Sequence, residues 1–212
     1  MNGYLIYHPS RTKSVFDSIV VVYHDSIVGN QDPYIWNCKF LHSYCHITQM
    51  SSIVNNINFW VSGDTFPNFN NLYCDLVFII KEKTYWKNAN TIDRTDATID
   101  TDEAYLDHYR WAWQHPFKRR RRFTLKADPD NSFQPQNAFQ ELIDILPFLL
   151  EQGLTLPEIR RGMRAGFNSK PFSLNASLAA NLYSWLDRTA AIKLEGAKLQ
   201  KIRENNPHLA SL

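Results

Sequence analysis

Glycine is scarce in this chain, with seven in 212 residues, and none falls in a G-x-G-x-x-G or G-x-x-x-x-G-K-[ST] string. The two commonest phosphate-cradling loops are therefore excluded. No apolar run approaches the ~18 residues that a membrane helix needs, and the longest clean one is Leu76 to Ile80. No membrane partner is expected. Met1-Asn2-Gly3-Tyr4 opens without the basic start and continuous apolar stretch of a secretion signal. Cysteine is limited to three residues, an odd number that argues against a disulfide framework and predicts a reducing, cytoplasmic setting. Gly-x-Ser-x-Gly, His-Glu-x-x-His and Cys-x-x-Cys are also missing, which removes the familiar hydrolase, protease and paired-thiol signatures.

What is present is a composition that can build a core, at 44% hydrophobic and 14% aromatic residues. Disorder as the main state is excluded. The net charge of +2 hides opposed regions. Residues 1–116 hold eight Lys and Arg against twelve Asp and Glu, residues 117–154 six against five, and residues 155–212 nine against four. Such a distribution either steers a polyanion to one face or lets the two halves pair with each other.

The pattern predicts an α+β fold, with a mixed β-sheet in the N-terminal part closed by a three-helix C-terminal unit. Tyr4 to Tyr7, Ile19 to Tyr23, Phe59 to Val61 and Leu76 to Ile80 read as strands, and Ser18 to Tyr23 as a strand apolar on both faces. Tyr34 to Met50 fits either period, with helix preferred on Trp36, Phe40, Tyr44 and Ile47. Residues 88–107 carry six carboxylates and one arginine and read as an acidic, solvated loop. Further on, Phe139, Leu142, Ile143, Leu146 and Leu149 or Leu150 predict a helix stopped by Gly153. Thr155-Leu156-Pro157-Glu158 matches a capping box for a second helix reaching about Ala165. A third starts near Asn175 and aligns Leu178, Leu182, Trp185, Leu186, Ile192 and Leu199. The expected division is a sheet-containing region over 1–130 and a helical region over 131–212 packed on it as one unit.

The most informative string is Phe117-Lys118-Arg119-Arg120-Arg121-Arg122-Phe123-Thr124-Leu125-Lys126. As a strand over 117–126 it alternates, with Lys118, Arg120, Arg122, Thr124 and Lys126 on one face. Arg119 and Arg121 fall on the other, among Phe117, Phe123 and Leu125. Same-face residues stand ~6.6–6.8 Å apart, close to the phosphate spacing of an extended single strand. Trp111 and Trp113 lie just upstream, and cations interleaved with flat rings suit phosphate contact plus base stacking. The same tract can equally be a solvated strand whose arginines pair with Asp107 or Glu103, or a targeting signal. Arg160, Arg161, Arg164 and Lys170 form a second basic cluster around the second C-terminal helix. The turn after that helix is too long for an ordinary helix-turn-helix.

Three further constellations bear on chemistry. His24-Asp25 follows the buried strand, where a rigid carboxyl end can hold a polar pair at a loop mouth, and it is the candidate catalytic pair. Asp64, Asp75, Glu82 and Lys83 are residue types able to hold Mg²⁺ for phosphodiester hydrolysis. Adjacent Glu82 and Lys83 depart, however, from the Glu-x-Lys spacing of restriction-type nucleases. Cys38, His42, Cys45 and His46 are zinc-ligand types at a spacing that a single helix cannot wrap around one ion. No cofactor or metal is therefore assigned.

The resulting expectation is a nucleic-acid-binding accessory protein of nucleic-acid processing, modification or defence, acting on DNA or RNA. The alternatives are a protein-interaction or self-assembling homo-oligomeric subunit with complementary acidic and basic faces, and a small enzyme acting on a nucleotide-like substrate.

Overall fold

The structure, a computed structural model, describes residues 2–8, 12–16, 19–24, 42–43, 55–65, 68–85, 123–163 and 171–195. In chain order the elements are β1 (Gly3–His8), β2 (Thr12–Phe16), β3 (Val20–His24), β4 (His42–Ser43), β5 (Ile57–Gly63), β6 (Leu72–Tyr85), β7 (Phe123–Ala127), β8 (Phe133–Gln136), β9 (Ile143–Asp144), α1 (Leu146–Glu151), α2 (Leu156–Gly162), β10 (Phe172–Leu174), α3 (Ala176–Thr189) and β11 (Ile192–Glu195). The fold is mixed α+β. Nine of the described strands form one sheet with the run β10-β1-β5-β6-β7-β4, and β2 and β3 form a separate antiparallel ribbon. Among the described pairings β1 with β5 is parallel, and all the others are antiparallel.

β6 organises the sheet. One edge pairs with β5, while the other receives three successive stretches of the returning chain: β7 against Ile80 to Tyr85, Phe133 of β8 against Val77, and β9 against Tyr73 and Cys74. A bulge where Trp60 faces Leu76 but Val61 faces Cys74 leaves Asp75 as the extra residue. An extra residue reverses the alternation of a strand. Leu72 and Cys74 before the bulge, and Val77 after it, consequently join one apolar cluster. Leu76, Phe78 and Ile80 join the other.

The first cluster lies between the sheet and the helices. Leu5, Ile57, Phe59 and Val61 meet Leu146, Leu149, Ile159, Ala179, Leu182 and Leu186 there. A Cβ on Gly3 would stand 2.5 Å from the Cβ of Ala179, so the close seat of α3 on β1 requires glycine at that position. On the second face Ile6, Trp60, Leu76, Phe78 and Ile80 pack with Val22 of the ribbon and Leu194 of β11.

Helix boundaries follow local chemistry. At α1 the Leu154 N–H bonds to Leu149 O and the Gly153 N–H to Leu150 O, with Gly153 at φ +89°, which is a Schellman stop. The predicted capping box holds: Thr155 N–H and Oγ1–H both donate to Glu158 Oε2, at 2.9 and 2.6 Å. Asn175 Oδ1 accepts the Leu178 N–H at 2.8 Å and opens α3.

Several expectations need correction. The helix expected from Phe139 begins only at Leu146, because Pro147 is tolerated in a first turn but would clash with the carbonyl of Ile143 in a helix interior. Phe139 lies instead in a turn closed by Asn137 Oδ1 and is 82% exposed. Ile192 belongs to β11 and not to the third helical stripe, which ends at Thr189. Within Tyr34–Met50 the two described residues, His42 and Ser43, are a strand paired with β7. Ile19, read as buried, is 71% exposed at the ribbon's turn. Region 131–212 is not purely helical, since β8, β9, β10 and β11 all enter the nine-stranded sheet. The acidic stretch 88–107 and Leu199 lie outside the described residues.

Candidate functional site

The basic tract enters the described structure at β7. Phe123, Thr124, Leu125 and Lys126 pair with Tyr85, Thr84, Lys83 and Glu82 on one side, and Leu125 and Lys126 with Ser43 and His42 on the other. Strand character thus holds for the last four residues of the tract. The ladder places Lys126 in a row between Glu82 and His42. Lys118, Arg119, Arg120, Arg121, Arg122, Trp111 and Trp113 lie outside the described residues, as do Arg164 and Lys170.

The two described arginines of the second cluster differ in their surroundings. Arg160 turns inward: Nε and Nη2 donate to Phe69 O at 3.0 and 2.7 Å, and Nη2 also reaches Asn70 Oδ1 and Asn68 O. Its guanidinium stands 5.9 Å from the Phe69 ring centroid. The loop it grips is closed from within by Asp64, whose Oδ1 accepts the Asn70 and Asn71 N–H groups at 2.7 and 3.1 Å. Chiefly the Asn71 N–H, against a small burial effect, and then the Asn70 N–H hold the Asp64 carboxyl below its ordinary range. Arg161, one residue on, is exposed. The Thr155 hydroxyl and N–H, with a smaller pull from Arg161, hold Glu158 below its ordinary range.

His24 closes β3 opposite Thr12, and Asp25 lies outside the described residues. The residue before His24 shows how the ribbon is fastened. Gln134 uses its side-chain amide as a strand would use its backbone, accepting the Tyr23 N–H and donating to Tyr23 O, both at 2.8 Å. The same Nε2 donates to Asp75 O at 3.0 Å, and Gln136 Nε2 donates to Val21 O at 2.8 Å.

Beneath lies a buried polar stripe. Asn58, Trp60 and Ser62 alternate along β5, and Asn56 stands just before it in the same parity, each at 5% exposure or less. Ser62 Oγ donates to Asp75 Oδ1 at 2.8 Å, bracing β5 against the bulge of β6. Nearby, burial above all pushes the Tyr7 hydroxyl up. The Gly63 backbone opposes this, and the Asp75 and Asp64 charges add to it, so the phenol stays protonated at neutral pH.

Asp64 and Asp75 therefore have separate structural duties, and Glu82 sits seven residues beyond Asp75 on β6. Among the described residues no group of three His, Cys, Asp or Glu side chains is placed to hold a metal. Of the zinc-ligand types, Cys38, Cys45 and His46 lie outside the described residues. None of the described helices is long and apolar enough to cross a membrane.

Sequence reasoning passed over Asn58, Ser62, Gln134 and Gln136. Polar residues alternating with apolar ones carry the signal of a wetted strand face, and here that face is covered. No protein-family model, curated protein or solved structure matches the chain.

Proposed function

We propose that this chain binds nucleic acid, DNA or RNA, by contacting phosphates through the basic tract that leads into β7. The observation carrying this reading is that Phe123–Ala127 is an ordered strand held on both sides, by β6 and β4. The four arginines directly precede that strand in the sequence. In the sequence, a strand period over the tract would set neighbouring cations on alternate faces, which suits a polyanion with regular charge spacing. Arg161, exposed on α2, adds a cation free of the loop contacts that occupy Arg160.

The test is oligonucleotide affinity as a function of salt. Arg120→Ala with Arg122→Ala lowers affinity and reduces the slope of log K against log salt by about one unit per lost phosphate contact. Unchanged affinity and unchanged slope would overturn the proposal.

A further inference from the structure

On the second face of the sheet, one member of the β5 stripe stands apart. Asn56 Oδ1 accepts the Asn2 N–H, and Ser62 donates to Asp75. Asn58, fully shut off from solvent, has no hydrogen-bond partner among the described residues for either Oδ1 or Nδ2. A buried donor and acceptor left unmade carry the full desolvation penalty of both groups, whereas an apolar residue of the same size would carry none.

The surroundings of that amide are specific. Ladder register puts Tyr4 of β1 on one side of Asn58 and Phe78 of β6 on the other, in one row across three strands about 4.8 Å apart. Trp60 follows two residues along the same face of β5. An adjacent acceptor and donor set among three aromatic side chains match a flat heterocycle that presents a donor beside an acceptor. Adenine does so through N6–H and N7, the edge that an asparagine amide reads with two bonds. Aromatic neighbours suit its faces.

We propose that Asn58 is the specificity-determining group of a ligand site on this face, and that the ligand is an adenine base, free as a nucleoside or carried on an unpaired strand. The proposal rests on the β5 stripe and not on the arginine tract, so it stands or falls separately from phosphate contact. With Asn58 shut off from solvent, the base is enclosed when bound.

The experiment titrates the full chain with adenosine, inosine and an oligoadenylate, reading thermal shift and binding heat. Inosine replaces the N6 donor with the O6 acceptor and carries a proton on N1, while N7, the purine skeleton and the ribose are kept. Adenosine or the oligoadenylate is expected to stabilise the protein, with the inosine counterpart at least tenfold weaker. A response to both adenine ligands means that the free base suffices, and a response to the oligoadenylate alone means that the base arrives on a strand. Asn58→Leu is expected to melt higher than the parent without ligand and to lose the adenine response. Absence of any adenine response, equal response to inosine, or an undiminished response in N58L would each overturn the proposal. Should N58L not fold, the adenosine–inosine comparison on the parent chain decides alone.

Discussion

Replacing Arg160 with alanine separates an arginine that holds the fold from those proposed to hold a ligand. The substitution removes two donors from Phe69 O, at 3.0 and 2.7 Å, and the longer, exposed contacts to Asn68 O and Asn70 Oδ1. It also removes the guanidinium beside the Phe69 ring, whose side chain is fully buried. A hydrogen bond from a charged donor contributes about 1.5–3 kcal/mol, and the shared acceptor makes the pair at Phe69 worth little more than one such bond. The ring contact adds about 0.5–1 kcal/mol, and the exposed contacts next to nothing. The expected loss is about 2–3 kcal/mol, or roughly 4–12 °C in Tm for a chain of this length. Arg161→Ala, on the exposed neighbour, should stay within about 0.5 kcal/mol. Denaturant melts read the difference as a fall in midpoint at constant m. Arg160→Lys should recover only part of the loss, since an ammonium is a point charge without the planar fork. An R160A midpoint equal to that of R161A would refute the assignment of Arg160 to the loop.

Two further outcomes follow from the caps and the loop. Asn175→Ala removes the acceptor for Leu178 N–H and should cost about 1 kcal/mol, while Asn175→Asp should be nearly neutral; equal melting of all three chains would contradict the cap. Asp64 has its folded pKa below the unfolded value. Its stabilisation is therefore complete above the unfolded carboxyl pKa of about 3.9 and is lost as pH falls through the folded value. Asp64→Asn should accordingly flatten the acid limb of Tm against pH below about pH 4, and parallel limbs in the two proteins would count against it.

Most of the frame was legible because its signals are local. Tyr4 to Tyr7, Phe59 to Val61 and Leu76 to Ile80 carry β-branched and aromatic runs, and all three are strands of the sheet. Thr155 to Glu158, Gly153 and Asn175 are caps whose partners lie within five residues. The misread helix at Phe139 was also a local matter, since Pro147 sits where a helix from 139 would need an interior donor. Ile192 and His42 were different. Each is a strand residue only through pairing with a distant segment, Gln136 for the one and Lys126 for the other.

The buried stripe was not legible, for a reason that the Asp75 bulge makes plain. Alternation along β5 sorts Asn58, Trp60 and Ser62 from Ile57, Phe59 and Val61, but does not say which side meets water. That depends on the ribbon, whose Val22 comes down on the second face because Gln134 and Gln136 reach across more than a hundred residues to Tyr23 and Val21. Asp75 lies inside an apolar run and would, without the bulge, share the parity of Val77 and Ile79 on the helix-facing side. The register slip gives it a position of its own, beside Ser62. Chemistry-bearing residues in this protein are therefore assigned to a face by two long-range events, a ribbon docked through side-chain amides and one extra residue in a strand. The arginine tract, by contrast, announces itself by composition alone, because four consecutive cations need no distant strand to be recognised.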